Sequence, residues 1–137
     1  MEPSFRILRV HHIGLVPRDA EACQDFLNRL LGLGAHAPEV VESQRVTCTQ
    51  VEAGETLLEL LSPTSPDSPI AKFLTERKGG IHHIALEVDD IQLAVTQLRA
   101  QGVLFLSDAP GPGSHHTQVI FIHPKSTGGI LIELVSL

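Results

Sequence analysis

The chain has no tryptophan and no tyrosine, and its Lys and Arg are scattered through a sequence of formal net charge -6. A nucleic-acid surface needs clustered cations and rings on which bases stack, so that class of partner is excluded. No apolar run approaches the roughly 20 residues of a membrane helix, and the opening MEPSFRILRV lacks a basic segment followed by a long apolar stretch. The expectation is a soluble, cytoplasmic protein that is not exported, with no membrane partner; a mitochondrial matrix location is not expected, since no transit peptide is seen. Cysteine is nearly absent too. Cys23 and Cys48 form no Cys-x-x-Cys pair, and the two read as reduced thiols of a cytosolic protein. With 137 residues the chain fits one domain and can build its core without staples.

Histidine and repetition stand out against these absences. Six of the eight histidines occur as adjacent pairs, at 11-12, 82-83 and 115-116. VHHIGLV at Val10-Val16 returns as IHHIALEV at Ile81-Val88, and GETLLELLS at Gly54-Ser62 returns as GGILIELVS at Gly128-Ser136. The offset between copies is 83 - 12 = 71 residues for the histidines and 133 - 59 = 74 for the glutamates. Offsets so nearly constant imply one module duplicated with a three-residue length difference.

Taken in order, Ile7-Val16 is a strand, and Asp19 caps a helix on which Ala20, Cys23, Phe26, Leu27, Leu30 and Leu31 recur at helical spacing until Gly32 and Gly34 end it. Glu39-Glu52 alternates in part, turns at Ala53-Gly54 and leads into the Gly54-Ser62 strand. The stretch 63-79 is Pro- and Ser-rich and reads as a linker with a short helix at Pro69-Glu76. The second copy runs Gly80-Val88, a helix from about Asp90 to Gln101, a strand start at Val103-Leu106, a Gly- and Pro-rich loop at Ser107-His116, and strands at Thr117-His123 and Gly129-Val135. The fold class is α+β, two tandem βαβββ modules within a single domain 1-137, with module one at about 5-62 and module two at about 80-137.

Alternate residues of a strand share a face. His11, Ile13 and Leu15 therefore oppose His12, Gly14 and Val16, and His82, Ile84, Leu86 and Val88 oppose His83, Ala85 and Glu87. The bulky sets suit a face covered by helix, which leaves His12 and His83 on an open face beside the small Gly14 and Ala85. Glu59 and Glu133 each sit among Leu, Ile and Val, where a carboxylate is costly to bury unless it is paired or bound to a cation. Two imidazoles and two carboxylates, one of each per half, would make an N2O2 site for a divalent ion such as Co, Ni, Zn, Mn or Fe. The plain alternative is that the histidines are core residues satisfied by their neighbours and the glutamates pair with Lys or Arg.

These segments carry a family resemblance. VHHIGLVP at the start, ELLSPTSPDSPIAKFL at Glu59-Leu74, GGIHHIALEVDDI at Gly79-Ile91 and VIFIHPKSTGGILIEL at Val119-Leu134 resemble the vicinal oxygen chelate (glyoxalase/bleomycin-resistance) superfamily, and over nearly the whole chain its methylmalonyl-CoA epimerases. The resemblance implies a cup-shaped mixed sheet, a divalent metal held by His12, Glu59, His83 and Glu133, and assembly as a homodimer. It also implies cobalt among the candidate metals, an acyl-CoA substrate, and inversion at C2 of a malonyl-type thioester through a metal-stabilised enolate. Two bases are needed for inversion, one per face, and Glu133 is a candidate for one. The family's other base is a glutamate in a Pro-Glu-x-Gly-Val segment. Here the aligned residues are Glu42-Ser43-Gln44-Arg45-Val46. Ser43 stands where the glutamate is expected, in reach of substrate. Glu42, the replacement base, lies one residue earlier, on the wrong face of a regular strand. Arg45 replaces glycine. His115 falls where the family has Gly-x-His-Gly and is a candidate substrate contact.

Two other functions share the fold. A lactoylglutathione lyase of the glyoxalase I type can use the same four ligands, but such enzymes usually carry an Asp-Pro-x-Gly turn where this chain has His123-Pro124-Lys125-Ser126-Thr127-Gly128. A non-catalytic small-molecule binder needs aromatic walls, and five Phe with no Trp or Tyr supply few. An extradiol oxygenase is disfavoured further, because Glu59 would fill a coordination position that chemistry leaves open.

Overall fold

The structure, a computed structural model, describes residues 2-137. They form eight strands and three helices: β1 (Ile7–Val16), α1 (Ala20–Asp25), β2 (Glu39–Val41), β3 (Val46–Ala53), β4 (Thr56–Pro63), α2 (Pro69–Arg77), β5 (Gly80–Val88), α3 (Ile91–Ala100), β6 (Gly111–Pro112), β7 (Gln118–Ile122) and β8 (Ile132–Ser136). The chain packs as two compact units, a first of His12–His82 and a second made of the residues through His11 together with His83–Leu137. The division falls inside β1 and β5.

In the first unit the strands lie in the order β2-β3-β4-β1, and in the second β6-β7-β8-β5. Each sheet is mixed: β1 pairs parallel with β4 and β5 parallel with β8, while the remaining neighbours are antiparallel. The two copies therefore share one topology. They also share a helix start. Asp19 accepts a hydrogen bond from the Ala22 amide and Asp90 one from the Leu93 amide, both at 3.0 Å, satisfying a donor that the first turn leaves open.

Beyond that cap the copies diverge. In the second unit α3 buries Ile91, Ala94 and Val95 at the i, i+3, i+4 positions of one face, against Phe5, Val88, Ile120, Ile122 and Leu134. Burying a side chain such as Ile91 contributes about 1.5–3 kcal/mol. In the first unit α1 widens after Asp25 into a π-helical turn, Phe26–Leu30, closed by the Leu31 amide on the Phe26 carbonyl at 3.0 Å. No residue of α1 or the π turn is fully buried, and of its apolar set Ala20, Cys23 and Leu27 are partly so. Phe26, Leu30 and Leu31 are more than half exposed, so only part of the helical spacing read from the sequence becomes a packed face.

The first unit builds its core on the other side of its sheet. Val16, Val41, Val46, Cys48 and Leu61 cluster with Ile70 of α2, flanked by Phe73 and Leu74. Val16 shares the strand parity of His12, so that face is closed by α2 at this end, where the sequence reading left it open. The helix inside the expected linker forms, with Ser68 as its cap and Pro69 at its first position. Gly79 follows it at φ +100°; a Cβ there would stand 2.9 Å from the Arg18 amide nitrogen and the Val16 carbonyl oxygen.

One strand expectation is given its detail and one is corrected. Glu39-Glu52 is broken by a 3-10 turn at Glu42–Gln44, because Arg45 adopts the left-handed conformation (φ 55°) and reverses the chain. Val103-Leu106 contributes only a single bridge, Phe105 to Ile122, and the matching strand is instead the two-residue β6, inside the segment read as pure loop.

Candidate functional site

The first unit holds its histidine and glutamate on adjacent parallel strands. Gly14 of β1 lies opposite Glu59 of β4, so His12, two residues earlier on the same face, leans over the carboxylate. His12 Nε2 is 3.3 Å from Glu59 Oε1, and both residues are buried. A third group joins them. The β3–β4 hairpin turns through Gly54 and Glu55, which places Gln50 opposite Glu59. Gln50 is buried and its Nε2 donates to Glu59 Oε2 at 2.9 Å.

The second unit repeats the pair at the same register. Ala85 of β5 lies opposite Glu133 of β8, and His83 Nε2 is 3.2 Å from Glu133 Oε1, again with both residues buried. The position matching Gln50 is Phe121, opposite Glu133 on β7. Its ring meets His83 edge to face, with centroids 5.2 Å apart and planes at 83°. Gly14 and Ala85, which parity placed beside the histidines, also lie opposite the carboxylates and leave room there.

A carboxylate taken out of water carries a desolvation cost of several kcal/mol unless charge and hydrogen bonds compensate. Each glutamate here meets the imidazole of its own half. Neutral imidazole nitrogen and carboxylate oxygen are the donors that Zn, Co, Ni, Fe and Mn accept, and His12, Glu59 and His83 each present one buried ligand atom of that kind. The donor set thus fits a divalent metal.

The candidate substrate contacts lie on turns. Glu42 and Ser43 are both exposed, on the 3-10 turn that follows β2. Strand parity does not apply on such a turn, so the argument that put Glu42 on the wrong face fails. The turn is tied down at its end: the Thr64 amide donates to the Arg45 carbonyl at 3.0 Å, and Arg45 Nη1 lies 2.7 Å from Asp67 Oδ2. The Ser65 hydroxyl on Asp67, aided by the Arg45 charge, holds the Asp67 carboxyl below its ordinary range. His115 is exposed on the corresponding turn of the second unit, Ser114–His116, where His115 and His116 both have left-handed backbone (φ 53° and 61°). Thr117 closes that turn by donating its hydroxyl to the Ser114 carbonyl at 2.8 Å.

Gln50 and Phe121 escaped the sequence reading. For Gln50 a signal existed: counting back from a two-residue turn at Gly54-Glu55 pairs Ala53 with Thr56 and hence Gln50 with Glu59. For Phe121 none did, since residues 123-131 between β7 and β8 are too many to fix a register by counting.

A family model described as Glyoxalase/Bleomycin resistance protein/Dioxygenase superfamily matches residues 11–121. Methylmalonyl-CoA epimerase, mitochondrial, of Bos taurus is 38% identical over 133 residues, spanning 96% of this chain and 76% of that protein. Ethylmalonyl-CoA/methylmalonyl-CoA epimerase of Cereibacter sphaeroides is 38% identical over 128 residues, 92% of this chain and 96% of that one. Streptomyces coelicolor methylmalonyl-CoA epimerase, solved in complex with 2-nitronate-propionyl-CoA, matches with a TM-score of 0.90 at 34% identity, covering 96% of this chain and 98% of that structure.

Proposed function

The chain belongs to the Glyoxalase/Bleomycin resistance protein/Dioxygenase superfamily, and from that premise we propose that it is an isomerase of the methylmalonyl-CoA epimerase type. The observation that carries the reading is the buried His–Glu pair set at one register in both copies of the module, in a chain similar to epimerases over nearly its full length.

In this reading His12, Glu59, His83 and Glu133 are the ligands of one divalent metal. When bound, the ion supplies a Lewis acid that stabilises negative charge as it develops on the thioester oxygen. The chain's own groups handle the proton. Glu133 takes the hydrogen from C2, which is acidified by the flanking thioester and carboxylate. Inversion then needs a proton delivered from the opposite face, and the exposed carboxylate of Glu42 is the group assigned to it. Ser43 and His115, on the two matching turns, contact the acyl-CoA. The family resemblance supports extending the reading to cobalt as the metal, a homodimer, and a cytoplasmic setting. No helix among the described residues is long and apolar enough to cross a membrane.

The test is solvent-hydrogen exchange. With Co²⁺ supplied, methylmalonyl-CoA incubated in heavy water should gain deuterium at C2. A metal-loaded protein that leaves C2 untouched would sink the epimerase reading and favour the lyase or a binding protein.

A further inference from the structure

We propose that Leu131 and Phe121 form the apolar wall that receives the alkyl group on C2 of the substrate and limits it to one or two carbons. The inference rests on the epimerase reading and deepens it, naming the size class of the thioester.

Four apolar residues neighbour Glu133 on its own face of the sheet. Leu131 and Val135 stand two positions to either side of it, Ala85 lies opposite on β5, and Phe121 lies opposite on β7. Leu131 immediately precedes β8, but its carbonyl accepts from the Ile84 amide at 3.2 Å, so the ladder and its alternation reach back to it. Ile132 and Leu134, the residues between, pack into the cluster under α3, which sets 131, 133 and 135 on the other face. The four neighbours are not equally available. Ala85 and Val135 are fully buried and cluster with Val119. Leu131 and Phe121 are only half-buried, Phe121 giving one edge to His83. They are the apolar surfaces beside Glu133 that a ligand can still touch.

A base at Glu133 fixes where the alkyl group lies. C2 must come within roughly 3 Å of the carboxylate for its hydrogen to be taken, and the first alkyl carbon stands only about 1.5 Å from C2. The thioester and carboxylate arms of C2 are polar. The alkyl group is the arm that gains by leaving water for apolar surface. Successive residues on one face of a strand are about 7 Å apart, and a carbon lying between the Glu133 and Leu131 side chains needs about 3.5–4 Å to each. The gap therefore takes methyl or ethyl, and a longer chain runs into Leu131. In the first unit Leu57, also half-buried, holds the matching place two residues before Glu59. That carboxylate is a ligand and not the base, so Leu57 has no part in the selection.

The test compares C2 exchange of methyl-, ethyl- and butylmalonyl-CoA in heavy water, on the full chain at saturating Co²⁺. The parent should accept the first two and discriminate against butyl. Leu131→Ala should raise the butyl-to-methyl ratio of kcat/KM by about 10–200-fold, the usual worth of a methylene in an apolar site. Leu131→Phe should lower the ethyl-to-methyl ratio by about 10-fold or more. Phe121→Leu should move the butyl-to-methyl ratio in the same direction as Leu131→Ala. Leu57→Ala should leave both ratios within a few-fold of the parent. A ratio between substrates cancels any general loss of fold or metal, which a merely structural role would produce. If Leu131→Ala does not fold, Leu131→Phe and Phe121→Leu carry the test. Parent-like ratios in the Leu131 and Phe121 variants, with exchange intact, overturn the proposal alone. An equal shift in Leu57→Ala overturns the placement beside Glu133, and so does a parent that accepts butyl as readily as methyl. A Co²⁺-loaded parent that exchanges none of the three thioesters overturns the epimerase reading and this proposal with it.

Discussion

The helices α1 and α3 start alike and end unlike. Each begins with an aspartate capping the amide three residues on, after a strand carrying the His-His pair. Yet α3 is pressed onto its sheet by three buried residues, whereas α1 loosens into a π turn and leaves Phe26, Leu30 and Leu31 largely in solvent. The first unit recovers its core from α2, which packs on the face of the sheet that also bears His12 and Glu59. Duplication copied the topology and the ligand pairs; it did not copy where the hydrophobic stabilisation is stored. One half keeps its main cluster under α3, on the face away from His83 and Glu133, and has a small cluster of Ala85, Val119 and Val135 on the face that bears those two residues. The other keeps it beside its ligands.

The sharpest way to probe the difference between halves is through their matching turns. Ser43 leaves the first unit's turn without the carboxylate that the family resemblance leads one to expect. In heavy water the protein should therefore exchange the C2 hydrogen faster than it inverts the centre, because an enolate formed by one well-placed base is mostly reprotonated from the same side. Ser43→Glu should raise inversion selectively, by up to roughly 10²–10⁴-fold. Glu42 is assigned as a second base of poorer placement than Glu133, and equal rates of exchange and inversion in the parent would show that it is fully competent and that Ser43 is no defect.

Packing gives the next contrast. Ile91→Ala in α3 should cost about 2–5 kcal/mol, the usual range for emptying a buried aliphatic site. Leu30→Ala in the π turn, with its side chain mostly in water, should change stability by no more than about 0.5 kcal/mol. Urea denaturation of the two variants reads both numbers, and similar losses would mean that the π turn is packed after all.

A smaller effect is expected at Arg45. Its left-handed backbone costs about 1 kcal/mol relative to glycine, and the exposed contact with Asp67 returns little of that. Arg45→Gly should raise stability by up to about 1 kcal/mol, measurable as a higher melting temperature. A clear loss would show that the clasp on the Glu42–Gln44 turn outweighs backbone strain.

The smallest effect lies in acid. Asp67 in the first unit and Asp89 in the second both have carboxyl pKa values below the ordinary range, the first chiefly from the Ser65 hydroxyl and the second chiefly from the Arg6 amide, at 2.8 Å. A carboxylate depressed on folding stabilises the fold above its unfolded pKa of about 3.9 and stops doing so as pH falls through the lower folded value. Ser65→Ala and Asp89→Asn should thus melt slightly below the parent at neutral pH and converge with it in strong acid. A difference that persists at the acid end would point to a cause other than ionisation.

What the sequence disclosed and what it hid divide along physical lines. The caps, the β1 and β5 strands and the topology were legible, because Asp before an apolar run and period-two alternation act locally. So were the small residues beside His12 and His83, through parity, whereas the face of the two glutamates was not, because parity within one strand does not say which side its neighbour shares. The π turn was not, since the apolar spacing of Phe26, Leu30 and Leu31 fits an α-helix and only tertiary packing decides whether it is used. The turn at 42-44 was hidden by Arg45, a residue that seldom accepts the positive φ it has here. The roles of His115 and Glu42 rest on resemblance, because exposed turn residues leave no periodic mark.

The close approach at Gly79 bears on how the chain can be re-engineered. Connectors between repeated modules are the usual places to cut, lengthen or re-join a protein. Here the connector ends against the backbone of Val16 and Arg18, just past the strand that carries His12, with no space even for a methyl group. An insertion or a split at Gly79 would therefore push on that strand directly. The exposed Asp108-Ala109 segment, in the loop before β6, is the better site for grafts and permuted termini.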